Sequence, residues 1–258
     1  MGTFQISLSQ IQAFLLVFLR VSAIIITVPL FDSKNIPLLF KAGLALSFSI
    51  LLFQVISLKD VPVEIRPIPL AIGISGEILL GVIIGMSVRI IFAGIQLAGQ
   101  LVGFQMGLAI ANVIDPMTSE QVSVVARLNN LMAMLIFVTI NAHYWFIRAV
   151  ADSFQMVQPF GFHFDNSVME HLIKLIGNMF IISIKVAAPI MTVLLLTSVV
   201  LGLIARTVPQ LHVFIVAMPL KILIGLIFLG FSVPFVVTFI GETFNTLGRD
   251  MLFFLKAM

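Results

Sequence analysis

Few residues in this chain have the types and spacing that chemistry needs. Gly73-Ile74-Ser75-Gly76 matches the G-x-S-G string of rhomboid-type intramembrane serine proteases, which also need a histidine to take the serine proton. The candidates are His143, His163, His171 and His212. Such a string arises easily in a Gly-rich membrane helix and carries little weight alone. His163 and His171 flank Asp165 and Glu170, a spacing that suggests a metal site but is better explained by an exposed loop. There is no His-Glu-x-x-His, no Gly-x-Gly-Asp and no Cys. Metalloprotease, aspartyl-protease and Cys-nucleophile readings therefore lack support, as does a disulfide frame. The chemistry that remains is charge in apolar surroundings. Arg20, Glu77, Arg89, Arg127, Lys185 and Lys221 all sit inside or at the shoulder of apolar blocks. Each would cost about 2.5–3.5 kcal/mol at a bilayer centre.

The elements that must position these charges are written in the composition. Residues of the set AVILMFWYC make up 60% of the 258 residues, and charged residues 10%. Mean hydropathy is +1.20. A soluble fold cannot hide that much apolar surface, so a cytosolic enzyme, a disordered chain and a secreted disulfide scaffold are excluded. A polytopic, all-α membrane protein remains. The net charge is only +3, with no run of Lys or Arg, so no nucleic-acid partner is expected. The first basic residue is Arg20, so the basic leader of a cleavable signal is missing and the first apolar segment is expected to be retained. Position 6 is Ile, which weakens a myristoylation reading.

About six apolar blocks follow, read as helices: 8–30, 38–58, 68–114, a fourth from a capping box to about 150, 172–205, and 209–240. The third would be about 70 Å long as one helix at ~1.5 Å per residue. It must bend, break or leave the bilayer, whose apolar core is about 30 Å. Asp115-Pro116 closes it, and Thr118-Ser119-Glu120-Gln121 fits a capping box for the fourth helix. Residues 151–170 read as a solvated loop. Arg206-Thr207-Val208-Pro209 is a tight turn that makes the fifth and sixth blocks a hairpin. The tail from 241 on reads as a short amphipathic helix. The loops give no orientation by the positive-inside rule.

Two stripes of small residues recur at spacing four: Gly99, Gly103, Gly107, Ala111, and Gly73, Glu77, Gly81, Gly85, Arg89, Ala93. Such stripes let helix backbones approach closely. The buried charges pair either with other proteins or within one bundle, for which Glu77 with Arg89 or Arg127 would serve. A solute or ion transporter with Glu77, Arg89 and Lys185 lining a path is the alternative function these charges allow.

Longer strings carry a resemblance. Gln105-Met106-Gly107-Leu108-Ala109-Ile110-Ala111, then Asp115-Pro116 and Arg127, resemble the central signature of the FliR family of flagellar export-gate proteins, homologous to SctT of virulence secretion. Asn141-Ala142-His143-Tyr144-Trp145 resembles that family's polar-aromatic string. Ala205-Arg206-Thr207-Val208-Pro209-Gln210-Leu211-His212-Val213-Phe214, followed by Met218-Pro219-Leu220-Lys221, resembles its hairpin, with His212 where Asn or Ser is expected. The resemblance covers essentially the whole chain. It implies a non-enzymatic subunit of the type III export gate, without cofactor, metal or catalytic residue. It would sit in the bacterial inner membrane at the flagellar basal body and assemble with FliP, FliQ and FlhB. It further implies kinked hairpins, with residues 1–170 FliP-like and residues 171–258 a FliQ-like hairpin plus tail. A plug at about 103–121 would close the path of unfolded export substrates. Its residues would be Gly103, Gln105, Met106, Gly107, Leu108, Ile110, Val113, Ile114, Asp115, Pro116 and Met117. Arg20, Glu77, Arg89, Arg127, Lys185, Arg206 and Lys221 would be its buried or interface charges.

Overall fold

The computed structural model describes residues 8–31, 36–55, 66–108, 123–207 and 213–258. Among the described residues it is all helix and turn. The helices are α1 (Leu8–Thr27), α2 (Leu38–Val55), α3 (Pro67–Gln105), α4 (Val124–Thr139), α5 (Ala142–Met156), α6 (Asn166–Thr207) and α7 (Val213–Ala257). Four of them, α1, α3, α6 and α7, are long and apolar enough to cross a membrane, and α4 with α5 would make a fifth if they form one broken span.

Several boundaries differ from the sequence reading, each for a local reason. The third block does not continue as one helix to 114. It stops at Gln105, where Gly107 takes φ +84. The Gly107 N–H donates to Phe104 O and the Leu108 N–H to Gly103 O, both at 3.0 Å. This is a Schellman end, which needs the left-handed residue that glycine supplies at no steric cost. The Asp115-Pro116 stop and the Thr118 capping box lie outside the described residues.

The fourth block is two helices, because Asn141 sits in the left-handed region (φ 57, ψ 30) between α4 and α5. Asparagine tolerates that conformation better than most residues. The expected loop at 151–170 shrinks to 157–165. Asp152 lies on α5, 3.6 Å from Arg148 one turn back. Asp165 caps α6, its two carboxylate oxygens accepting from the Asn166 N–H (2.7 Å) and the Ser167 hydroxyl (3.1 Å). The tail is no separate helix: α7 runs unbroken to Ala257 with Pro219 and Pro234 inside it.

The chain divides into two compact units. The first comprises residues 1–90, 141–175 and 245–258, the second 91–140 and 176–244. In the first, Leu16, Val17 and Ile24 of α1 and Leu80, Ile84 and Val88 of α3 are fully buried. Close approach makes this possible. A Cβ on Gly81 would lie 2.7 Å from both Arg20 O and Ala23 Cβ, and one on Gly85 2.6 Å from Thr27 Cβ. The second small-residue stripe is therefore the seat of α1. In the second unit, Phe92, Phe137 and Phe244 form an aromatic cluster with centroids 5.1–5.8 Å apart. There Gly99 and Gly103 receive the start of α4: a Cβ on Gly99 would strike the Ala126 backbone, and one on Gly103 the Ser123 hydroxyl.

Burying a methyl where backbones touch forces helices apart, which costs about 1–3 kcal/mol. Where space is open, Gly to Ala in a helix gains up to about 1 kcal/mol. Gly99→Ala is therefore expected to lower the abundance of the full-length protein in cell membranes. Gly177→Ala, with nothing within 4 Å of the new methyl, should leave it unchanged or raise it. Equal effects of the two would contradict this packing.

Candidate functional site

In the first unit the sequence leaves one cation, Arg20, on the apolar α1, and one anion, Glu77, in the apolar opening of α3. The Gly81 contact brings the α1 backbone against α3 one turn beyond Glu77. Both side chains are essentially inaccessible, at 0% and 1% exposure. Arg20 Nε and Nη2 donate to the two Glu77 oxygens at 2.5 and 3.0 Å. Nη1 donates to Ser153 O (2.8 Å) and Ser153 Oγ (3.2 Å), and Nη2 also to Val157 O (3.1 Å). All five N–H donors of the guanidinium thus have acceptors. The Ser153 hydroxyl donates onward to Val150 O. The Phe154 ring lies 4.2 Å from the guanidinium carbon, in cation–π range. Ser153 O and Val157 O lie at the C-terminal end of α5, where the helix dipole favours a cation. One arginine thereby fastens α1, α3 and α5. Sequence reasoning left open whether Glu77 pairs within the chain or with another protein, and for the first case offered Arg89 or Arg127. Both of these are exposed.

In the second unit the site is the end of α3. Met106 is fully buried and fills the space beside Gly225 of α7, where a Cβ would lie 2.7–2.8 Å from its Cγ, Sδ and Cε. Met218 of α7 lies over Gly107, its Cε 3.6 Å from where a Cβ would stand. Gly103 is buried against Ser123, and Gln105, Gly107 and Leu108 are half-buried. Of the expected plug residues, Gly103, Gln105, Met106, Gly107 and Leu108 thus gather at this helix end. Ile110, Val113, Ile114, Asp115, Pro116 and Met117 lie outside the described residues. Gly225 was not singled out from sequence, and Met218 entered only within the hairpin string. Gly225 is one of four glycines in α7, so nothing in the sequence set it apart.

The remaining candidates scatter. Lys185 is exposed on α6, 5.5 Å from the Phe239 ring. Arg206 is exposed and Lys221 half-buried. Ser75 donates to Ile72 O on its own helix. It opens into a shallow cleft of about 570 Å³ lined by Pro69, Ile72, Leu79, Phe160, Phe162 and Phe164 among others. His163 donates to Gly161 O. His171 stacks on Phe253, with centroids 4.2 Å apart. Its Nε2 lies 3.5 Å from an Asp250 carboxylate oxygen. His143 packs on Tyr144, and His212 lies outside the described residues. Among the described residues no three of His, Asp and Glu converge on a metal position, so His163, Asp165, Glu170 and His171 do not assemble one.

Long apolar helices knit by a buried ion pair define an integral membrane protein of the all-α class. Residues 11–247 match the family described as bacterial export proteins, family 1. Three relatives carry the name flagellar biosynthetic protein FliR. That of Bacillus subtilis (strain 168) is 38% identical over 230 residues, covering 87% of this chain and 88% of its own length. That of Pectobacterium carotovorum subsp. carotovorum is 34% identical over 233 residues, 88% and 87% of the two chains. That of Escherichia coli (strain K12) is 30% identical over 239 residues, 92% and 90%. The chain belongs to this family of bacterial export proteins, in its FliR group. It is a membrane component of flagellar protein export and not an enzyme.

Removing Arg20 while Glu77 stays leaves a buried, unpaired carboxylate, a loss of about 3–5 kcal/mol. Arg20→Met is expected to lower cellular abundance and thermal stability sharply. Arg20→Met with Glu77→Leu should recover most of the loss, since a packed apolar pair can replace a buried ion pair at little cost. A double variant no more stable than the single one would refute the pairing.

Proposed function

We propose that this chain is a subunit of the flagellar type III export gate in the bacterial inner membrane, at the basal body. There it helps form, and closes, the channel through which unfolded flagellar proteins leave the cytoplasm. Its partners are FliP and FliQ within the gate and FlhB beside it. Residues 1–170 take the FliP-like part and 171–258 the FliQ-like hairpin.

One observation carries this reading. Helices α6 and α7 contain 42 and 45 residues, roughly twice the ~20 that a bilayer core requires. In each, only 22% of the most apolar window is buried within the chain. Exposed apolar side chains run from Ile173 to Leu203 on α6 and from Ile215 to Phe235 on α7. The surplus length cannot all lie in hydrocarbon, and apolar surface of that extent does not stay in water. Other apolar helices must cover it, and a hetero-oligomeric gate supplies them. Arg89, Arg127, Lys185 and Arg206 then face protein or water within the assembly rather than lipid.

The gating is passive. Residues 103–121 act as the plug, with Leu108, Ile110, Val113, Ile114 and Met117 as an apolar seal that repacks readily because methionine is unbranched and polarizable, and with Met106 buried at its foot against α7. Gln105 and Gly107 stand on its α3 side, and Asp115 and Pro116 belong to it. The likeness of this segment to the FliR signature supports the assignment, as does the left-handed Gly107 that ends α3 just before it.

Deleting residues 109–114 is expected to make cells carrying the assembled gate leak small ions, and unchanged leakage would remove the plug. The chain produced alone should aggregate in detergent and become monodisperse when co-produced with FliP and FliQ. A monodisperse, active protein on its own would defeat the gate reading and favour a transporter.

A further inference from the structure

The plug reading leaves open what holds the end of α3 in place. We infer that Gly225 and Met218 of α7 are positioning residues for that end: Met106 is keyed into the notch at Gly225, and Met218 is laid over Gly107. The inference rests on the plug reading, since it concerns the support from which the closing segment departs.

The geometry is specific. Met106 has no exposed surface, and its Cγ, Sδ and Cε all lie where a side chain at position 225 would begin. Any larger residue there must push the flexible thioether aside. Gly225 is unfavourable by about 1 kcal/mol against Ala in a helix interior, and neither a turn nor a positive φ accounts for it. The notch accounts for it. At the next residue, Gly107 is left-handed and bare, and Met218 Cε lies 3.6 Å from where a Cβ there would stand. Two neighbouring positions at the Schellman end, both facing α7, therefore fix the position of the chain at Leu108. Flexible thioethers at both contacts let the end of α3 settle against α7 without strict shape matching. A change on α7, remote in sequence from the closing segment, should thus act on closure.

The test uses the assembled gate in cells, reading sodium leak, export of flagellar protein and abundance of the complex. Gly225→Leu is expected to raise leak about tenfold, as overpacking by a few methylenes shifts the seated population by that order. Complex abundance should stay near wild type. Gly225→Leu with Met106→Ala should return leak toward wild type, because the freed volume takes the new side chain. A general structural defect would not be repaired by truncating one methionine. Should Gly225→Leu prevent assembly, the milder Gly225→Ala takes its place. The chain has no Cys, so Met106→Cys with Gly225→Cys reads the contact directly: an intrachain disulfide should form on oxidation in the assembled gate. Absence of that crosslink overturns the inference. So does wild-type leak in Gly225→Leu, or failure of Met106→Ala to restore it, when deletion of 109–114 does leak. If that deletion does not leak, the plug reading itself has failed and takes this inference with it.

Discussion

A guanidinium cannot be left dry without acceptors, and in this chain that constraint organises the first unit. Arg20 lies on a helix whose other residues are nearly all apolar. It can be buried only because each donor finds an oxygen: two on Glu77, two on Ser153 and one on Val157. Those oxygens belong to two other helices. The arrangement also depends on Gly81, whose missing side chain lets the α1 backbone approach α3 closely enough for the pair to form. A hydrophobic pair could hold these helices as firmly, since buried ion pairs are not stronger than good packing. What the ion pair adds is register. Leu16, Val17 and Ile24 could slide along α3 by a turn with modest loss, whereas Arg20 has a single position in which five donors are satisfied.

The second unit meets a different constraint. Its helices hold together through small-residue contacts and an aromatic cluster rather than through charge. The Phe92, Phe137 and Phe244 rings fill the interior, while Gly99 and Gly103 admit the backbone and side chain of α4. Close backbone contact is the means of association available to helices that lack a hydrophobic drive in lipid. The second unit also carries most of the exposed apolar surface on α6 and α7. A chain that buries so little of its longest helices leaves most of their apolar surface to lipid or to other helices.

Much of this was legible in the sequence. All-α architecture, the placement of the blocks and the two glycine stripes all follow from composition and spacing, and internal pairing of Glu77 was one of two alternatives they left open. The partner of Glu77 was not legible, because Arg20 is 57 residues away and its capture depends on Gly81 and on two carbonyls of α5. The break at Asn141 was missed because apolar periodicity continues across it. Only the left-handed tolerance of asparagine marks the spot, and asparagine sits within helices often enough to hide the signal. The stop of α3 at Gly107 was missed because Asp115-Pro116 is the louder signal downstream. The fusion of the tail into α7 was missed because Gly241 and two prolines look like breaks. In a long helix with apolar contacts on either side, tertiary packing overrides those propensities.

The position of Gly107 bears on how the family's signature works. A proline stop ends a helix by removing a donor and by steric clash, so the chain beyond it is excluded from helix but otherwise unguided. A Schellman end instead redirects the chain through a defined left-handed residue and two hydrogen bonds. In this protein the redirection occurs at a point covered by Met218, with Gly103 one turn earlier pressed against Ser123, the residue that opens α4. The outgoing strand of chain and the incoming one are therefore anchored on the same short stretch of α3. Met106 and Gly107, both in the string that resembles the family's signature, thus stand where the end of α3 meets α7.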